Sequence, residues 1–267
     1  MADYPYIQEV LAMLDRAAIK SQAKAIMRTA HTSPYLVTLV MLVITYVLDR
    51  LSELVQYGSP FYSAAFTRRY LDILASGDVD ALELLLAAIP ENTTAALFFS
   101  ILVSLFGIVL SGGYYIYCMG IRQRQDMPCA TLADGLGVAG KLIWCSIQVS
   151  VRTFLWSMLF VIPGIVAAYR YRFAYYNLLT DASLSASDAI RLSCEQTRGV
   201  KMELFVLDLS FVGWMLLASL TMGLLSIWLT PYMTLCDLAY FEDAQRRLGR
   251  SPYGSSPPPT EDPWGRI

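Results

Sequence analysis

The stretch FVIPGIVAAYRYRFAYY, residues 160–176, decides how this chain is interpreted. It lies in a long apolar region, residues 142–179, which it interrupts first with Pro163-Gly164 and then with two arginines. A straight helix over that region would measure roughly 57 Å, nearly twice the roughly 30 Å hydrocarbon core of a membrane. Because Pro-Gly is a strong turn signal, we predict a tight helical hairpin with spans over residues 142–162 and 164–180 and a turn at Pro163 and Gly164.

The composition indicates an integral membrane protein. The 267 residues are 56% hydrophobic and only 16% charged, with a mean hydropathy of +0.47, whereas an ordinary soluble domain carries roughly 25% charged residues. The net charge of −2 offers no basic surface for nucleic acid, which we exclude as a partner. We therefore predict an all-α, polytopic helical bundle in the membrane.

A second long apolar region, residues 204–241, has the same length and a small break at Thr221-Met222-Gly223. The same length argument predicts a second tight hairpin, with spans over residues 203–221 and 224–241 and a turn at Gly223. Residues 34–55 and 95–119 are each apolar enough to supply one further span. The predicted transmembrane domain, residues 34–242, thus contains about six helices.

The two ends of the chain differ from this domain. Residues 1–33 place apolar side chains at helical spacing, with Arg16, Lys20, Lys24 and Arg28 along the other side. This pattern predicts an amphipathic cytoplasmic helix that either lies in the membrane interface near anionic headgroups or packs on the protein's own cytoplasmic face. Residues 243–267 are rich in Pro, Ser and Gly, and we expect a disordered cytoplasmic tail.

The distribution of basic residues favours six spans over four. With six spans and both termini cytoplasmic, most Lys and Arg residues lie inside, while Arg50, Arg68 and Arg69 lie outside. If each long apolar region were a single helix, the segment from Arg170 to Lys201 would move outside. Because short inner loops normally carry the excess of Lys and Arg, six spans fit better.

This topology places Arg152, Arg170 and Arg172 within the membrane region. An arginine at the centre of a span is unfavourable by roughly 2.5 to 3.5 kcal/mol, so each needs a partner or water. Asp208 and Asp237 lie at similar predicted depths near the inner ends of their spans. We expect Arg152 to be within reach of either aspartate.

Arg170 and Arg172 pose separate questions. Two residues apart on a continuous helix, they point roughly 200° away from each other and cannot share one partner. We expect one to face the bundle interior and the other to reach an interface or a polar neighbour. Two interpretations stay open for the five charged residues: an intramembrane functional site, or ion pairs that fix helix packing.

Several pieces of the second half of the chain carry a family resemblance. They are LWSMLFVIPGI at residues 155–165, AIRLS following Ser185-Ala186, the run Arg198-Gly199-Val200-Lys201, and LFVLDLSFVGW at residues 204–214. With LTMG and the later Pro231-Tyr232, this order resembles the bacterial multi-pass membrane family known as domain of unknown function 975. The resemblance implies a bacterial inner-membrane protein and no assigned activity.

The same order of motifs also resembles, more distantly, the membrane domain of bacterial glycerophosphodiester phosphodiesterases. There the membrane module accompanies a separate soluble catalytic domain, which has no counterpart in these 267 residues. In that relative an arginine falls at the position of Arg170, whereas Arg172 stands where serine is commoner.

The residue inventory argues against an enzyme. His31, the only histidine, lies at the cytoplasmic edge of the first predicted span, which argues against a Ser-His-Asp triad, and a single histidine excludes a histidine-rich metal site. The five cysteines are scattered singly, so neither a zinc site nor a disulfide framework is indicated. No phosphate-binding loop, metalloprotease or nucleophile-elbow motif occurs, and we expect no cofactor.

Two function classes remain. The first is a non-catalytic membrane module that binds membrane lipids and assembles with protein partners or with further copies of itself. The alternative is a component of a small-solute or ion transporter or channel, in which broken helices and the buried Arg and Asp residues line a pathway. Both predict a multi-pass protein of the inner (cytoplasmic) membrane.

Overall fold

A computed structural model describes residues 16–57, 60–87 and 93–253. Throughout these ranges the chain is helical and contains no strand, as predicted for an all-α protein. Residues 254–267, most of the predicted tail, lie outside the described ranges, but the last helix extends past the predicted start of that tail at residue 243. The helices are α1 (Arg16–Thr29), α2 (Pro34–Tyr57), α3 (Pro60–Ser76), α4 (Val79–Ala87), α5 (Thr93–Arg122), α6 (Ala139–Leu159), α7 (Val161–Arg170), α8 (Ala174–Thr180), α9 (Ala186–Gln196), α10 (Lys201–Leu220) and α11 (Ser226–Arg247), with a 3₁₀ segment (Cys129–Val138) before α6.

Four helical stretches are long and apolar enough to cross a membrane, which supports a membrane-embedded protein. They are Pro34–Val55, Leu97–Arg122, Cys129–Leu159 and Lys201–Leu220. The 22 residues of α11 would also be long enough, but the second half of this helix carries several charged side chains. The 10 residues of α7 rise only about 15 Å, half the thickness of a hydrocarbon core.

The described chain divides into two compact units. Residues 42–107 form one unit, in which α3 and α4 pack together and Arg50 pairs with Glu53. The remaining residues form the other unit, in which the side chains of Thr38 and Tyr114 are hydrogen-bonded at 2.9 Å and link the start of α2 to α5. The five charged residues that the sequence suggests as an intramembrane site all belong to this other, larger unit: Arg152, Arg170, Arg172, Asp208 and Asp237.

The predicted turn at Pro163 and Gly164 is displaced in the structure. The break between α6 and α7 is the single residue Phe160, with φ −161° and ψ 154°, and Pro163 and Gly164 lie inside α7. Proline is tolerated there because the first turn of a helix has no intrahelical acceptor for its amide. Gly164 instead permits close packing, since a Cβ at this position would lie 2.2 Å from the Ser157 hydroxyl oxygen on α6.

The predicted span over residues 164–180 is not one helix. The chain leaves the helix at residues 171–173 and resumes it in α8. Ser193 on α9 closes this break, because its hydroxyl accepts a hydrogen bond from the Phe173 amide at 3.1 Å and donates one to the Arg170 carbonyl at 2.9 Å. Backbone groups freed within a membrane need such substitutes, and α9 supplies them here.

The turn between α10 and α11 occupies residues 221–225 and contains the predicted break. Gly223 adopts φ +86° and Met222 φ +52°, both in the left-handed region where glycine is favoured. α10 and α11 pack against each other on either side of this turn.

The N-terminal helix α1 packs on the protein itself. Its buried residues Ile19, Ala23 and Met27 follow one another at four-residue spacing, and the helix lies against α11. Of the two placements considered from the sequence, the structure shows a helix whose apolar stripe is covered by protein.

Candidate functional site

Arg172 lies in the break between α7 and α8 and binds two aspartates from two other helices. Its Nη1 and Nη2 donate to the Asp208 carboxylate on α10 at 2.6 and 2.8 Å. Its Nη2 also donates to Asp237 on α11, at 2.7 Å to Oδ1 and 2.9 Å to Oδ2, while Nε lies 3.3 Å from Oδ2. We call these three residues the charged triad.

The charged triad is largely enclosed. The side chains of Arg172, Asp208 and Asp237 are 19%, 24% and 17% exposed. The Tyr169 hydroxyl donates to Asp208 Oδ2 at 2.8 Å, and the guanidinium carbon of Arg172 lies 5.6 Å from the centre of the Tyr169 ring. Each carboxylate oxygen therefore accepts at least one hydrogen bond, which is the condition under which buried ion pairs are tolerated.

Aromatic side chains form the apolar surroundings of the triad. Tyr176 on α8 packs edge-on against Tyr115 on α5, with ring centres 5.2 Å apart, and lies 5.5 Å from the ring of Phe241 on α11. The phenols of Tyr115 and Tyr176 are both within electrostatic range of Asp237 and Arg172. These rings join α5, α8 and α11 to one another.

The expected pair between Arg152 and an aspartate is wrong. Arg152 lies half-buried on α6, whereas the ion pairs of Asp208 and Asp237 within the described chain are both made with Arg172. Distance along a helix predicts the depth of a side chain but not the direction in which it points, and the expectation for Arg152 rested on depth alone. Arg170 is exposed at the end of α7.

A second polar cluster surrounds Asn177, five residues after Arg172, and was not predicted from the sequence. The amide groups of Asn177 on α8 and Gln196 on α9 exchange two hydrogen bonds, each 2.9 Å long. Asn177 also donates to the Ala189 carbonyl at 3.2 Å and accepts from Gln245 on α11 at 3.3 Å. The available signal was a lone Asn within an apolar run, which a buried partner best explains.

A third interaction joins the ends of α5 and α11. The Arg122 guanidinium and Glu242 carboxylate form a two-point ion pair, with Nη2 and Oε2 2.9 Å apart and side chains only 5% and 12% exposed. The Tyr253 hydroxyl also donates to Glu242. Burial, together with the negative charge of Glu242, raises the pKa of Tyr253 above its ordinary value.

These clusters join side chains from different helices. Among the residues that the structure describes, no group of three or more His, Cys, Asp or Glu side chains could hold a metal ion. The acidic groups of the triad are both bound by the same guanidinium, which leaves neither free to act as a base.

The role of the triad can be tested by removing its cation. Arg172→Met leaves two carboxylates buried without a counter-charge, and we expect a loss of roughly 3 to 5 kcal/mol in the free energy of unfolding. Thermal unfolding in detergent would show this loss as a lower midpoint. The triple variant Arg172→Met, Asp208→Asn, Asp237→Asn removes all three charges and should recover most of the stability.

Arg170→Met provides the matched control, since Arg170 is exposed two residues away. This variant should unfold like the wild type. A wild-type midpoint for Arg172→Met would show that the triad does not stabilise the bundle.

Comparison with known proteins supports the family resemblance. The model of a family described as a protein of unknown function (DUF975) matches residues 13–247 of the chain. No curated protein and no solved structure matches it. The more distant resemblance to the membrane domain of glycerophosphodiester phosphodiesterases stays a prediction. Because the match covers most of its length, the chain belongs to the DUF975 family of proteins of unknown function.

Proposed function

We propose that this protein is a non-catalytic module of the inner (cytoplasmic) membrane, with six spans, both termini cytoplasmic and a surface that contacts membrane lipids. The proposal rests on one observation: the clustered polar side chains inside the bundle are hydrogen-bonded to other groups of the protein. The charged triad, the Asn177 cluster and the break capped by Ser193 are each hydrogen-bonded internally, with side chains from α8, α9, α10 and α11. Such internally paired groups fix helix packing and line no pathway.

The position of the triad supports six spans. From Val161 to Arg170, the end of α7, the helical rise is about 14 Å, and from Ser226 to Asp237 it is about 16 Å. The starts of α7 and α11 therefore lie at similar distances from the triad. From Lys201 to Asp208 the rise is about 10 Å, so the two starts lie about 24 to 27 Å from the beginning of α10, close to the thickness of a hydrocarbon core.

The outer surface suits contact with lipid. Around the break between α6 and α7, five consecutive apolar residues from Met158 to Ile162 are each more than 60% exposed. On α10, Leu209, Leu216 and Leu220 are 57%, 63% and 80% exposed. Apolar surface of this extent is stable only against lipid or a protein partner.

The alternative, a transporter or channel component, has one observation in its favour. The break at residues 171–173 places a charge beside a discontinuous helix, an arrangement that transporters use for binding ions. In this chain the freed backbone groups are bonded to Ser193 and the charge is bonded to two aspartates, which favours the structural interpretation.

A flux measurement separates these functions. We expect liposomes of phosphatidylcholine and phosphatidylglycerol that contain the purified protein to hold imposed proton, Na⁺ and K⁺ gradients as long as protein-free liposomes do. Ion-sensitive dyes inside the liposomes would report the decay. A faster decay that disappears in the triple variant lacking all three triad charges would establish transport and overturn the proposal.

The topology can be tested by cysteine labelling. In a variant without the five natural cysteines, a membrane-impermeant maleimide applied to intact cells should label Met222→Cys. It should label Ser187→Cys, in α9, only after the membrane is permeabilised, because six spans place α9 inside. Labelling of Ser187→Cys from outside would contradict the six-span arrangement.

A further inference from the structure

The basic residues of α1 form a continuous stripe. Arg16, Lys20, Lys24 and Arg28 follow one another at four-residue spacing and therefore lie on one face of the helix, beside the buried apolar stripe. Like charges at this spacing repel, and the 14 residues of α1 contain no acidic residue. An anion outside α1 would therefore stabilise the stripe.

Within the described parts of the chain, no ion pair involves this stripe. The Lys20 Nζ donates to the Ser210 hydroxyl at 2.7 Å and lies 4.8 Å from the centre of the Phe211 ring. The Lys24 Nζ lies 5.6 Å from the centre of the Tyr232 ring. Of the acidic residues on α10 and α11, Asp208 and Asp237 are bound to Arg172, Glu242 to Arg122 and Asp243 to Arg247, and Glu203 forms no ion pair with either lysine. Both lysines therefore face hydroxyl and aromatic groups and lack a counter-anion there.

The lysines lie well along the apolar helices. The helix α1 packs along α11, and Lys24 lies over the ring of Tyr232 on that helix. Ser210, the partner of Lys20, is about 13 Å from the first residue of the candidate span Lys201–Leu220. An ammonium group carried to that depth is unfavourable unless an anion or water accompanies it.

We propose that Lys20 and Lys24 bind the phosphate of an anionic phospholipid, with the Ser210 hydroxyl at the edge of the site. An ammonium has three N–H donors, and Lys20 uses one of them on Ser210, so both lysines retain donors for phosphate oxygens. Lys24 and Ser210 are exposed, which leaves the site open to the bilayer. The proposal rests on the lipid-contacting module proposed above and specifies its lipid.

Neighbouring side chains suit the rest of the lipid. Trp214 and Trp228, whose ring centres are 5.7 Å apart, lie close to Tyr232, the ring beside Lys24. Leu209, Val212 and Leu216 on α10 are exposed and apolar. Their spacing of three and four residues makes a stripe along which an acyl chain can lie.

Lipid retention tests the site on the full-length protein. Purified protein would be equilibrated in detergent with equal amounts of phosphatidylglycerol and phosphatidylcholine, and bound lipids counted by native mass spectrometry. We expect preferential retention of phosphatidylglycerol, weakened about fivefold for each lysine removed and so about 25-fold in Lys20→Gln, Lys24→Gln. Lys24→Gln alone, at an exposed position without a hydrogen bond, guards against misfolding of the double variant and should show the fivefold loss.

The matched control is Arg191→Gln, Arg198→Gln, which removes two exposed cations elsewhere and should retain phosphatidylglycerol like the wild type. Equal retention by the lysine variants and the wild type would overturn the site. Displacement of phosphatidylglycerol by millimolar inorganic phosphate would instead identify a site for the free anion. These outcomes are independent of ion flux, so the site and the proposed function can fail separately.

Discussion

The ion pairs between the Arg172 guanidinium and the carboxylates of Asp208 and Asp237 are the interaction on which the rest of this structure depends. Arg172 comes from the break between α7 and α8, Asp208 from α10 and Asp237 from α11, so three parts of the chain must meet at one point. A buried charge that loses its partner is strongly destabilising, which makes this meeting point intolerant of displacement.

The same ion pairs explain why the predicted span over residues 164–180 is broken. A continuous helix over residues 164–180 would satisfy its own backbone, yet the chain leaves the helix at the residue beside Arg172. Helix α9 replaces the backbone hydrogen bonds that are lost at the break. Its Ser193 bonds to the backbone on both sides of the break, and its Gln196 bonds to Asn177 beyond it. In this way a short, polar connecting helix becomes part of the bundle core.

The sequence predicts the depth of the charged side chains along their helices but not the direction in which each side chain points. Length and composition predicted a helical membrane protein, and a rise of 1.5 Å per residue placed Asp208 and Asp237 at similar heights. The rotation of each helix about its axis, which chose Arg172 over Arg152, depends on packing that no single segment encodes. The Pro163-Gly164 pair likewise signalled a break, but proline fits the first turn of α7 and the break moved to Phe160. The clusters around Asn177 and Arg122 were missed because their partners lie far away in the sequence.

A double-mutant cycle on Arg172→Met and Asp237→Asn measures the central interaction most directly. The free energies of unfolding of the wild type, both single variants and the double variant would be obtained in the same detergent. If the triad holds α7, α8 and α11 together, the two substitutions will be coupled by about 1 kcal/mol or more, because contacting charges are not additive. Additive effects, within about 0.3 kcal/mol, would contradict the direct ion pair and with it this account of the fold.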